Sequence, residues 1–254
     1  MADPVITPAG PRRPQLLYLP GMDGTGDLFY RQAARLQQLF EIQSISLNSA
    51  SSLSWSELAA HVRHQSRAEQ AFLCGESFGA CLALQVACDY PHLCRGLILV
   101  NPASSYHRGP WYFRAGGLLP WIPEPLYLAM AERGLPLLAA LERMDPADRE
   151  ALATAVRSVS PAATAQRLNL LSRFHVDHLP LEQLDVPTIL VAGGRDRLLP
   201  SIEEVERLAA WLPRSDIEVS PESGHACLLE RDLDLHKILL RHPLLPSSVT
   251  SMNR

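Results

Sequence analysis

The sequence predicts an α/β fold: a mainly parallel sheet with helices on both faces, interrupted by one inserted helical cap. Short runs of near-continuous apolar character alternate with stretches whose apolar residues recur at helical spacing, the pattern of strands buried on both faces. That alternation stops at Ser104 and resumes at Pro187. The chain has 254 residues, 47% hydrophobic and 20% charged, enough for one domain carrying an insertion and incompatible with disorder throughout.

Residues 1–14 hold four of the 21 prolines, which preclude regular structure and predict a loose leader. The core is expected to open at Gln15 with the strand QLLYLP (15–20). A helix follows in DLFYRQAARLQQLF, where Leu28, Ala33, Leu36 and Phe40 share one face, and then a strand in EIQSISL (41–47). SWSELAAHVRHQSR reads as helix, AFLCGE (71–76) as strand, FGACLALQVACDY as helix and GLILVNPA (96–103) as strand. Residues 104–186 begin with the aromatic, proline-rich RGPWYFRAGGLLPWIPEPLYLAM and continue in helical patterns without a convincing strand. This is the predicted cap. PTILVAGG (187–194) resumes as strand, SIEEVERLAAWL as helix, DIEVSPES as strand and ACLLERDLDLHKILLRH as a last helix. The core is thus expected over 15–103 and 187–242, with a frayed tail over 243–254 and no internal repeat.

Composition removes several classes of function. The formal charge of −4 is spread along the chain rather than gathered in blocks, so nucleic acid is not an expected partner. No apolar run reaches the ~18 residues that cross a bilayer, and the N-terminus lacks the apolar stretch of a signal peptide, which makes the cytoplasm the default compartment. Cys74, Cys81, Cys88, Cys94 and Cys227 are odd in number, form no CxxC pair and sit mostly in apolar segments, so they are expected as buried free thiols. Of 23 basic residues only Lys237 is a lysine, which leaves almost no amine for a Schiff base, a P-loop or a Ser-Lys dyad.

At the end of AFLCGE stands Gly75-Glu76-Ser77-Phe78-Gly79, a GxSxG sequence between an apolar strand and a helix of small residues. That strand-turn-helix context is the one a nucleophilic serine needs, because the sharp turn excludes bulky neighbours and lifts the hydroxyl above the sheet at a helix N-terminus. The competing reading of Ser77 is a helix N-cap. Its partners decide between the two. A serine hydroxyl needs a histidine to take its proton and a carboxylate to orient that histidine. Asp196 follows the strand TILVAGG, and His225 follows the next strand in Glu222-Ser223-Gly224-His225, so Ser, Asp and His arrive at three strand ends in that order. The alternatives are a salt bridge of Asp196 with Arg195 or Arg197 and a helix-start role for His225. Rival acids are weaker: Asn101 is not a carboxylate, Glu222 is too near His225 in sequence, and Glu76 lies inside the turn as a local hydrogen-bonding residue.

A tetrahedral intermediate needs donors aimed at its oxygen. The amides of Phe78 and of Met22, in the loop Pro20-Gly21-Met22-Asp23-Gly24-Thr25-Gly26, are the expected pair. The same glycines invite a dinucleotide reading, but the order is GxxGxG and the next strand ends in SLNS without a ribose-binding acid. Gly21, with Trp111 and Trp121 of the cap, forms the candidate substrate-lining set. The aromatic and leucine-rich cap serves either simple packing or an apolar acyl pocket roof able to touch a membrane surface. His61 with His64, and His175 with Asp177 and His178, have spacings a metal could use, but are read as solvated residues.

With these residues in place, the sequence resembles the α/β-hydrolase superfamily from about Gln15 to His242. It departs in having proline before Gly21, where histidine is common, and in lacking an evident N-terminal strand pair. The segments LPGMDGTG, GESFGACLAL and SGHACLLE resemble more narrowly the hydrolase region of the chloroplast and cyanobacterial phytyl ester synthase group. That group esterifies phytol and diacylglycerol with acyl donors. Its members often carry a second, acyltransferase-like region marked by His, four residues, then Asp; none of the nine histidines here has that spacing. The resemblance implies a serine hydrolase acting on a hydrophobic ester through an acyl-enzyme, with no metal or organic cofactor. Acyl transfer to a lipid alcohol by the same residues, and a ligand receptor on the same fold, remain the alternatives. Oligomeric state is not read from the sequence.

Overall fold

The computed structural model describes residues 13–48, 53–242 and 244, with the side chains of residues 111–115 outside that description. The expected leader and tail therefore fall almost wholly outside the described residues.

Six strands form one sheet: β1 Gln15–Leu19, β2 Glu41–Ser44, β3 Ala71–Glu76, β4 Cys94–Val100, β5 Thr188–Gly193 and β6 Ser215–Ser220. Their order is β2-β1-β3-β4-β5-β6, and every pairing is parallel. β3 and β5 are buried at every position, whereas β2 and β6, at the edges, carry polar and exposed residues. This is what the apolar runs demanded, since only interior strands need apolar side chains on both faces.

Nine α-helices accompany the sheet among the described residues: α1 Tyr30–Leu36, α2 Trp55–Gln65, α3 Phe78–Asp89, α4 Glu124–Arg133, α5 Leu135–Leu138, α6 Pro146–Ser158, α7 Pro161–Ser172, α8 Ser201–Ala209 and α9 Leu235–Arg241. Alternate strand residues feed two cores. Leu17, Leu19, Leu73, Leu97, Leu99 and Leu190 pack with α2, α3 and α8 on one face. Leu16, Tyr18, Phe72, Ile98, Val100 and Ile189 pack with α1 and α9 on the other. α2 opens with a capping box in which Ser54 and Glu57 satisfy each other's amides.

The structure shortens the last strand to end at Ser220 and the helix before it to end at Ala209, and it corrects three further boundaries. The fourth strand stops at Val100 rather than Ala103, because Asn101 takes a left-handed conformation, φ 43°. The second ends at Ser44 rather than Leu47, although the chain stays alongside β1 for one further bond, Ile45 N–H to the Tyr18 carbonyl at 2.9 Å. The last helix, read as 226–242, is instead a 3-10 turn at Cys227–Leu229 followed by α9. Buried Glu230 breaks it: its carboxylate accepts the Gly224 amide at 2.8 Å and pairs with Arg143 at 3.0 Å, and Asp234 then caps α9 afresh.

Between β4 and β5 lie α4 to α7 and several 3-10 turns, with no strand among the described residues. They are fastened to the core at separated points. Arg31 pairs with Asp148 at 2.8 Å, the Trp55 indole donates to the Leu170 carbonyl at 3.1 Å, and Arg207 pairs with Asp177 at 2.9 Å. Ala139, Met144 and Leu152 close a small apolar cluster on Leu229. No described helix is long and apolar enough to cross a membrane.

Candidate active site

Strand order reverses between β1 and β3, so the loops after these strands diverge and leave a crevice at their carboxyl ends. Ser77 sits there, between β3 and α3, with φ 54° and ψ −112°. Few non-glycine residues adopt such a backbone, and it is held by the Ser77 amide donating to the Val100 carbonyl at 2.9 Å and the Ala103 amide donating to the Ser77 carbonyl at 3.2 Å. A Cβ on Gly75 would collide with the Gly79 carbonyl, and one on Gly79 with the Leu19 carbonyl, so both neighbours must be glycine for α3 to cross β1 this closely. The Ser77 side chain makes no cap bond to α3, which removes the N-cap reading.

The structure brings the three sequence-predicted residues together. The Ser77 hydroxyl lies 2.8 Å from His225 Nε2, and His225 Nδ1 lies 2.6 Å from Asp196 Oδ2. With the proton on Nδ1, the tautomer these partners require, the hydroxyl donates to the ring and the ring donates to the carboxylate. Asp196 also accepts the amides of Leu198 and Leu199 at 2.8 and 3.0 Å and the Ser201 hydroxyl. Burial raises the Asp196 pKa, but the His225 bond and charge, with the Ser201 and Leu199 bonds, outweigh it and hold the carboxyl below its ordinary range. It is therefore ionised when an imidazolium forms beside it. Arg195, one of the two arginines weighed as salt-bridge partners of Asp196 beside Arg197, pairs instead with Glu222, which also accounts for that rival acid.

Gly21 borders the serine: a Cβ there would lie 3.8 Å from Ser77 Cβ and 3.6 Å from the Glu76 carbonyl. Met22 is the next residue of that loop, and Phe78 is the first residue of α3. Ser77 and His225 are 7% and 4% exposed, and the backbone of Ala139 and Ala140, just past α5, packs against Gly224 beside the histidine. The site lies beneath the cap. Trp121 is 85% exposed and turns its ring to solvent rather than to the serine, while the Trp111 side chain lies outside the described residues. A cavity of about 920 Å³ runs between α7 and Gly116–Gly117, lined by His107, Arg173 and His175 among others, and does not include Ser77. His61 bonds the Ser46 carbonyl at 3.2 Å and Asp177 is held by Arg207.

Two residues gain a role that sequence reasoning missed. Asn101, fully buried, donates through Nδ2 to the carbonyls of His225 at 2.6 Å and Gly224 at 3.2 Å, and accepts the Gly193 amide on Oδ1 at 2.7 Å. It ties the histidine loop to the strand that carries Asp196. An asparagine directly after an apolar strand was its only signal, since that residue type tolerates positive φ. Arg167 of α7 is 5% exposed and donates to the Met22 carbonyl. Glu76 accepts the Tyr18 hydroxyl at 3.3 Å, and burial pushes its pKa up to about 7.

A buried hydroxyl hydrogen-bonded to a histidine, itself bonded to an ionised carboxylate, can deliver an alkoxide-like nucleophile to an acyl carbon. Residues 54–232 match the family described as "Serine aminopeptidase, S33". Phytyl ester synthases 1 and 2 of Arabidopsis thaliana chloroplasts are 30% and 28% identical over 89% of the chain. The chain spans only 36% and 37% of those two relatives. Among solved structures, a thermophilic esterase from Thermogutta terrifontis superimposes with a TM-score of 0.70 at 19% identity, over 91% of this chain and 89% of that one. The resemblance to phytyl ester synthases thus extends well beyond three short segments, and the fold is that of the α/β-hydrolases.

Proposed function

We propose, from the premise that the chain belongs to the serine aminopeptidase family of α/β-hydrolase enzymes, that it cleaves a carboxylic ester of a hydrophobic substrate through an acyl-enzyme on Ser77. The observation that carries this is the continuous hydrogen-bonded line Ser77, His225, Asp196, at 2.8 and 2.6 Å. His225 takes the hydroxyl proton as Ser77 Oγ bonds to the ester carbon, and the carbonyl oxygen gains the negative charge. The Met22 and Phe78 amides donate to that oxyanion. His225 then gives its proton to the departing alkoxide oxygen as the C–O bond breaks. Water repeats the sequence on the acyl-enzyme, releasing the acid and restoring Ser77. Asp196 keeps the ring oriented and stabilises its cationic form.

The test is hydrolysis of chromogenic acyl esters of increasing chain length by the protein and by Ser77→Ala, with thermal melting of both. Hydrolysis by the wild type and its loss in a folded variant support the reading; equal inactivity of two folded proteins counts against it.

A second reading, acyl transfer to a lipid alcohol, is favoured by the similarity to phytyl ester synthases across 89% of the chain. It uses the same residues with an alcohol in place of water. Products formed with water and phytol in competition separate the two. Contact of the cap with a lipid surface is supported by Leu118, Trp121, Leu126, Met130 and Leu137, all exposed within one stretch of the cap.

A further inference from the structure

Several polar side chains attach the cap to the core, and one of them, Arg167, reaches the loop after β1. Arg167, on α7, projects its guanidinium onto residues 21–24 and donates to the carbonyl of Met22. It also covers Gly24, whose φ of +69° and lack of a side chain make the approach possible: a Cβ there would run into the guanidinium carbon and both its terminal nitrogens. Asp23 of the same loop and Tyr127 of α4 interact with it electrostatically, and Tyr127 in turn bonds Thr164 of α7 at 2.8 Å. Burying a guanidinium costs free energy unless it is paired or hydrogen-bonded. Here its hydrogen bond goes to the peptide that follows the Met22 amide.

The loop has other restraints, but they act on other atoms. The Gly24 amide donates to the Gly21 carbonyl at 3.2 Å, the Leu47 amide to the Gly24 carbonyl at 2.8 Å, and Asp23 accepts the Thr25 amide at 2.9 Å. The Met22 carbonyl and the Met22 amide flank one α-carbon, so fixing the carbonyl narrows the directions open to the amide.

We propose that Arg167 is a positioning residue that aims the Met22 amide at Ser77, so that the oxyanion site is complete only while α7 is docked. This rests on the ester-hydrolase reading and specifies how its cap takes part. The hydrogen bond of Arg167 goes to the Met22 carbonyl and not to Ser77, His225 or Asp196. Lysine would keep the charge and could reach the carbonyl, but lacks the planar fork that covers Gly24.

The experiment compares wild type, Arg167→Lys and Arg167→Met for kcat and KM on a short chromogenic ester. It adds Ki for a trifluoromethyl ketone, which forms a tetrahedral adduct with an oxyanion. In Arg167→Met, kcat is expected to fall roughly 10- to 100-fold with KM within about twofold, and Ki to weaken by the same factor as kcat. The lysine variant should lie between the two. A folded Arg167→Met with kcat and Ki within about twofold of wild type overturns the proposal. So does a matched loss of kcat/KM with Ki unchanged, which marks a merely structural residue. If Arg167→Met does not fold, Arg167→Lys decides, and an unchanged Ki there overturns it. Failure of the underlying reading is seen separately, as a wild type that does not hydrolyse esters or a Ser77→Ala variant that hydrolyses them equally.

Discussion

Asn101 uses both ends of its carboxamide on the loops that carry the acid and the base, and its positive φ puts it there. Asn101→Asp keeps the size and the tolerance of φ but turns the donor into an oxygen facing two carbonyls. It is expected to lower kcat about 10- to 100-fold with KM little changed, as the His225 loop shifts; steady-state kinetics on a short ester check this, and an unchanged kcat would deny Asn101 its bridging role. Glu76 supports a pH prediction. Burial raises its folded pKa from 4.5 to about 7, so its protonated form is favoured in the fold. The resulting stability is full below pH 4.5 and is lost as the pH rises through about 7, by up to about 3 kcal/mol. Asp196 has the opposite sign, its contribution present above its ordinary value of 3.8 and lost below; His107, held below its ordinary value of 6.5 by burial and by His175, gains with rising pH inside the interval from 5 to 7, so Glu76 is read there from the difference between wild type and Glu76→Gln. Across that interval the Tm of wild type should fall relative to that of Glu76→Gln; parallel curves would contradict it. Ser77, Asp196 and His225 were legible because each follows a strand, in the order serine, aspartate, histidine. Asn101 and Arg167 were not, because their partners lie 124 and 145 residues away along the chain.

The strands were legible for a physical reason: β3 and β5 are buried on both faces, so apart from Thr188 at the start of β5 and Glu76 at the end of β3 they carry only apolar residues and glycine. The region after His225 misled because its apolar spacing suits a helix, while the fold needs Glu230 inside, facing Arg143 and Gly224. Long-range ionic partners override local periodicity there. The cap's aromatic opening is likewise not α-helical but 3-10 from Trp111 to Trp121, with Pro120 inside it. At this scale the crossing of α3 over β1 is the most demanding packing. Gly79→Ala places a methyl group on the Leu19 carbonyl, with the Pro20 carbonyl beside it. It is expected to cost about 3 kcal/mol or more, lowering Tm by roughly 6–12 °C. A Tm within about 2 °C of wild type, measured by differential scanning calorimetry, would show that the crossing is looser than described.

Across the whole molecule, the cap does two things at once. Its inner side closes over the line of Ser77, His225 and Asp196 through Arg167 and Ala140, and its outer side presents Leu118, Trp121, Leu126, Met130 and Leu137 to solvent. If that outer side meets lipid, replacing Trp121 and Leu118 by serine should leave turnover of a soluble short ester within about twofold while weakening co-sedimentation with phosphatidylcholine vesicles about tenfold. Equal sedimentation of both proteins would set that contact aside. A covalent acyl intermediate on one serine beneath this cap has a more direct test: intact-mass spectrometry of the protein quenched during turnover of a slowly deacylating ester, followed by peptide mapping. The expected result is a mass increase of one acyl group, located on Ser77, that decays as product forms and is absent from Ser77→Ala. Turnover with no adduct on Ser77, or undiminished turnover by the alanine variant, would contradict the account.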